Sequence, residues 1–199
     1  MRSIGRGIKA LERCADTAGV RRRLQSEEGF GLLELLMAMV MLNVGILAIV
    51  AAFSSGNAAL ARASRISTAA ALADKQMEIY RGADYDNIVF TTSEWNSATG
   101  DATYTGDTVY QLNMATPQAP KALVPAVTTC PTTVPAQACD PSFTVTGADH
   151  RRYRIDTYLY FDTPSFGNQL KTITIVVRNG DVTTKTLARV TSTFDPSTG

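Results

Sequence analysis

The sequence predicts an α+β protein. A long N-terminal α-helix, with a transmembrane half and an amphipathic half, packs on a C-terminal antiparallel β-sheet. Three observations predict it. An apolar run begins at Phe30, helical spacing of apolar residues continues from Ala59 to Tyr80, and strict alternation sets in from Tyr153. The chain has 199 residues and a formal net charge of +1, with 45% hydrophobic and 19% charged residues. Its mean hydropathy is −0.02. That balance excludes a disordered chain, a collagen-like repeat and a strongly basic nucleic-acid binder.

Residues 1–29 are polar and basic, with seven Lys or Arg against four acids. They form a cytoplasmic leader, because positive flanks of an apolar segment stay inside. Residues 30–53 form the transmembrane helix, 24 residues with Glu34 as their one charge. Leu35 to Phe53 alone would make roughly 28 Å of helix, close to the hydrocarbon thickness of a bilayer. A buried soluble helix seldom stays apolar on every face for five turns. A secretory signal peptide is the competing reading, with Ala51-Ala52 as a poor cleavage site, but its apolar region is shorter, about 7–15 residues.

The helix continues through an amphipathic segment, residues 54–83. Ala59, Ala63, Ile66, Ala70, Ala73, Met77 and Tyr80 recur four and three apart, so they share one stripe, and Arg62, Arg65, Asp74, Lys75, Glu78 and Arg81 lie off it. No proline interrupts residues 30–81, and Gly82 is a natural stop. Residues 84–199 form an exported globular region. Residues 84–149 are rich in Thr, Ala, Ser and Pro, with six of the eight prolines between Pro117 and Pro141, which predicts largely irregular backbone from 84 to 149 with short strands such as Val109–Leu112. Tyr153–Phe161 and Leu170–Arg178 read as strands. Asn179-Gly180 reads as a tight turn, and Val182–Phe194 as the returning strand. The apolar face of that sheet needs a cover, and the helix stripe supplies one.

The junction reads Glu27-Glu28-Gly29-Phe30-Gly31-Leu32-Leu33-Glu34-Leu35-Leu36. It resembles the start of type IV prepilins and of the related pseudopilins of type II secretion. There a basic leader ends in glycine, an aromatic residue opens the mature chain and a glutamate stands fifth. The resemblance implies a pilin-like fold and cleavage between Gly29 and Phe30 by a membrane-embedded prepilin peptidase, which then methylates the Phe30 amine. Other partners it implies are pilin or pseudopilin subunits, an inner-membrane assembly platform and membrane lipid. Two positions depart from the pattern. Glu28 stands where many leaders are basic. Ala51 stands where major pilins often carry a kinking proline, which points to a minor pilin or a pseudopilin. Leu42-Asn43-Val44-Gly45-Ile46-Leu47 and Ala73-Asp74-Lys75-Gln76-Met77-Glu78 look most like minor pilins of the pilus-modification group and like small pseudopilins. The implied place is the cell membrane, single-pass with a cytoplasmic N-terminus, and later a periplasmic or cell-surface filament. An uncleaved single-span protein with an external binding domain is the reading from another class.

Glu34 is the expected assembly residue. A carboxylate within a membrane segment costs on the order of 2–3 kcal/mol. One explanation is a position near the interface in the first helical turn, where the dipole favours an anion. The resemblance adds pairing with the Phe30 ammonium of the same or a neighbouring subunit.

Cys14 falls in the leader. Cys130 and Cys139, nine apart in the exported region, can close a disulfide, and an oxidising compartment favours it over two free thiols. With a single histidine and no CxxC motif, no metal site is expected; Asp84, Asp86 and Asn87 lack the pattern of a calcium loop. His150-Arg151-Arg152-Tyr153-Arg154 reads as a charged strand start beside Asp149 and Asp156 rather than a nucleic-acid contact. No nucleophile motif or phosphate loop occurs, so no catalytic residue and no cofactor are expected.

Overall fold

The computed structural model describes residues 31–113, 126–162 and 169–197. The chain divides into two compact units, Met1–Gly56 and Asn57–Gly199. Helix α1 runs Leu32–Arg81, 50 residues. A 3-10 turn follows at Tyr85–Asn87, then three short helices, α2 (Thr92–Thr99), α3 (Ala102–Thr105) and α4 (Thr108–Asn113). Another 3-10 turn, Ala136–Ala138, precedes four strands: β1 (Ser142–Thr146), β2 (Arg152–Asp162), β3 (Leu170–Asn179) and β4 (Thr186–Phe194).

The strands form one antiparallel sheet in the order β1-β2-β3-β4. The β1 strand pairs with β2 from Ser142↔Asp156 to Thr146↔Arg152. The pairing of β2 with β3 runs from Tyr153↔Asn179 to Asp162↔Leu170. Each meander step is a local antiparallel connection, which needs no crossover. Alternation then fixes the two faces. Tyr153, Ile155, Leu159, Ile173, Ile175 and Val177 lie on one face, in a core completed by Ala69, Ala73, Met77 and Tyr80 of α1. The alanines let the helix backbone come close; Met77 and Tyr80 fill the remaining depth.

Four expectations are corrected. The buried stripe of α1 begins at Ala69: Ala59 and Ala63 are exposed, and Ile66 remains 46% exposed. Val109–Leu112 is helical, within α4, because Asp107 Oδ1 accepts the Val109 N–H at 2.8 Å and so caps that turn. The returning strand starts at Thr186 rather than Val182, and the connection is longer than a two-residue turn. Asn179 N donates to Lys185 O at 3.2 Å, and the register shifts between Val177 and Arg178. Finally, both faces of the sheet are covered. Ala98, Tyr104 and Val109 of α2–α4 pack with Tyr158, Tyr160 and Val176 on the face away from α1. The irregular backbone expected from 84 to 149 thus contains three helices and the edge strand β1.

Candidate functional site

Gly29 and Phe30, the expected cleavage and methylation positions, lie outside the described residues. Glu34 is described. It stands in the first turn of α1, where its backbone N–H donates to Gly31 O at 2.9 Å and its side chain is exposed. An acid in the first turn is favoured by the helix dipole. From Leu32 to Phe53 every residue is exposed, including Leu32, Met41 and Leu47 at 84%, 72% and 68%. This helix is long and apolar enough to cross a membrane. Among the described residues of its unit nothing covers that apolar surface. A helix apolar on all sides is stable where its surroundings are apolar too.

In the second unit, the end of α1 is tied down by polar contacts as well as by its stripe. Tyr80 is fully buried and its hydroxyl donates to Ala138 O at 3.0 Å, while Gln76 Nε2 donates to Gln137 O at 3.0 Å. Burial pushes the Tyr80 phenol up to about 12, so it donates at any physiological pH. The accepting carbonyls belong to the loop closed by a Cys130–Cys139 disulfide, with Cα atoms 5.8 Å apart. Cys139 itself is buried in the core, and its carbonyl accepts from Thr91 N at 3.0 Å. The disulfide loop therefore clamps the last turns of α1 and the start of α2 together.

Charge holds the other face. Asp101 caps α3 by accepting the Thr103 N–H at 2.7 Å and also meets Arg154 Nη1 at 2.5 Å. Asp107 caps α4 and pairs with Arg178 and, at 3.0 Å, with Arg189. Asp156, fully buried, accepts from Arg154 Nε at 2.8 Å, from Arg178 Nε at 2.9 Å and from Ser142 Oγ at 2.7 Å. Asp107, Asp156 and Arg178, the buried charges of this network, thus each face an opposite one, as desolvation requires. Between these pairs Tyr104 and Tyr158 stack at 4.5 Å. Tyr104 donates to Thr157 O at 2.7 Å and Tyr158 to Tyr104 O at 3.0 Å. Arg154, expected at a charged strand start, is an interior member of this network. On the α1 face, Lys171 near the start of β3 is also drawn inward. Its Nζ donates to Tyr85 O and Ile88 O and sits 4.3 Å from the Tyr85 ring centroid. Burial pulls its pKa below the usual lysine value, with nearby Asp86 opposing.

None of these groups forms a nucleophile–base pair, and among the described residues no group of three or more His, Cys, Asp or Glu is placed to hold a metal ion. The charged network and the tyrosine pair are tied into backbone and to each other, so what they do is dock helices on a sheet. Sequence reasoning did not find this network; its signal is the doubled Thr-Gly-Asp at 99–101 and 105–107, a helix stop followed by a helix cap. No family model, curated protein or solved structure matches the chain.

Proposed function

We propose that the chain is a minor subunit of a type IV pilus or a related envelope filament. It is made as a prepilin, cut between Gly29 and Phe30 by prepilin peptidase, methylated at Phe30 and inserted into a filament through the apolar half of α1. The observation that carries this reading is the Gly29-Phe30 junction with Glu34, directly ahead of a helix that exposes apolar residues on every side as far as Phe53. Lipid tails and neighbouring apolar helices are equivalent surroundings for such a surface. One segment can then serve first as membrane anchor and later as filament core, at little cost in the exchange. The basic leader keeps the N-terminus cytoplasmic until the cut. Cleavage creates an ammonium at Phe30, and Glu34 is the anion that pairs with it in an apolar setting, setting the axial register of one subunit on the next. In this reading the protein is a substrate and a building block and performs no catalysis itself. A type II secretion pseudopilin is the second reading, and Ala51 in place of a proline is compatible with both. It differs in ending in a periplasmic rather than a surface filament.

Intact-mass and N-terminal sequencing of the protein from its own cells tests the cut. An N-methylated Phe30 is expected, and a chain that still begins at Met1 overturns the proposal in favour of a simple membrane anchor. Glu34→Ala tests the pairing. Cleavage is expected to persist while recovery in sheared filaments falls severely, and unchanged recovery defeats the role given to Glu34.

A further inference from the structure

Arg65, on the amphipathic half of α1, meets Arg151 and Arg152 at the β1–β2 hairpin across a cleft of about 200 Å³. Asn179 at the end of β3, Asp181 and Val182 of the β3–β4 connection and Leu187 of β4 form more of its wall. The wall is held in place by the backbone. Gly180 N donates to Arg152 O at 2.9 Å, and a methyl group at Gly180 would come within 2.7 Å of Arg152 Cβ. On the other side the hairpin presses on α1 at Gly147, where an added Cβ would lie 2.8 Å from Thr68 Cγ2. The cleft is therefore built by three elements whose spacing allows little change.

Three guanidinium groups line it against one carboxylate, Asp181. Asp149, beside the cleft, is engaged by the Tyr153 hydroxyl at 2.6 Å and meets Arg151 only loosely, at 3.8 Å. Arg65 Nε is buried without a hydrogen-bond partner. Three guanidinium groups lining one cleft repel one another, and an anion held among them offsets that repulsion. Arginine forks match the oxygens of a tetrahedral oxyanion in charge and in geometry.

We propose that the cleft between Arg65, Arg151 and Arg152 is a binding site for a phosphate group. The chemistry is shared by free phosphate, a soluble phosphomonoester and a phospholipid headgroup. The inference stands apart from the filament reading, since it uses only the second unit.

The test uses the full chain in dodecyl maltoside micelles, which carry no phosphate, titrated with inorganic phosphate against sodium chloride at matched ionic strength and followed by calorimetry. Saturable binding is expected. Arg65→Gln and, separately, Arg152→Gln are expected to weaken it by about tenfold or more each, as loss of a charge-assisted contact implies. Arg62→Gln, one turn earlier on α1 and outside the cleft, is expected to leave it unchanged. Because Arg152 is exposed, its variant reports on the cleft even if Arg65→Gln fails to fold. Repeating the titration in phosphatidylglycerol nanodiscs separates the sources. Loss of the phosphate response there identifies a lipid headgroup as the occupant, and retention identifies a soluble phosphate. No saturable binding, or binding untouched by both cleft variants, overturns the proposal.

Discussion

The two halves of α1 share a backbone and differ in what surrounds it. From Leu32 to Phe53 every side chain is exposed, although nearly all are apolar. From Ala69 to Tyr80 one face, with Ala69, Ala73, Met77 and Tyr80, is buried against the sheet, and Asp74, Lys75 and Glu78 stand exposed off it. The difference lies in how many positions are apolar and in how the polar ones are gathered on one side. A single stripe can be satisfied by one neighbouring layer of the same chain. Apolar residues on every side cannot, and no described residue buries any part of the first half.

Two methionines on this helix make the comparison measurable. Met77 is 1% exposed in the core, and Met41 is 72% exposed. Met77→Ala removes buried volume and is expected to lower the stability of the globular region by about 2–5 kcal/mol. Met41→Ala is expected to change it by less than about 0.5 kcal/mol, as for an uncovered surface position. Thermal unfolding of the full chain in detergent, followed by near-ultraviolet circular dichroism, reads both. Equal losses would break the comparison, because they would mean that the apolar half is also part of the globular core.

The same contrast explains what was legible in advance. The helix was legible because no proline interrupts it and its apolar half is long. The β2 and β3 strands were legible because alternation and β-branched residues persist for several positions. The stripe began too early because alanine fits a buried face and an exposed one equally well, so Ala59 and Ala63 carried no information about where the sheet ends. The short helices were missed because 8, 4 and 6 residues are too few for a period to emerge. The second cover on the sheet went with them, although β3, with eight consecutive buried residues, carries a two-sided pattern. Of the candidate residues, Glu34 was legible from its isolation in an apolar run. The arginine cleft was not, because Arg65 meets Arg151 and Arg152 only through the packing of α1 on the hairpin.

The disulfide sharpens the comparison at the end of α1 that is tied down. Closing the ten-residue ring restricts the unfolded chain by about 2–3 kcal/mol in the loop-entropy account. Its carbonyls at Gln137 and Ala138 also hold Gln76 and Tyr80. The double variant Cys130→Ser with Cys139→Ser is expected to lose about that amount. Hydrogen exchange should speed up most at the last turns of α1 and at Thr91, and remain unchanged across Leu32–Phe53. Uniform acceleration along α1 would show that the loop does not act as a local clamp.

Asp101 gives the smallest effect and a defined sign. Burial alone would raise its carboxyl, but the Thr103 N–H and the Arg154 guanidinium outweigh it and hold the pKa below the usual aspartate value. A carboxyl whose folded value lies below its unfolded value stabilises the fold fully above the unfolded pKa. That contribution is lost as pH falls through the folded one. Stability should therefore be level for this group above about pH 5 and decline below about pH 4. The carboxylate is 39% exposed, so solvent screens the pair and the slope is shallow. Asp101→Asn keeps an oxygen to cap Thr103 N but removes the charge facing Arg154. Denaturant unfolding at pH 7 and at pH 3 should show a smaller difference between the two pH values in the variant than in the parent chain. An identical difference would mean that Asp101 acts only as a cap, leaving Asp156 to neutralise Arg154 alone.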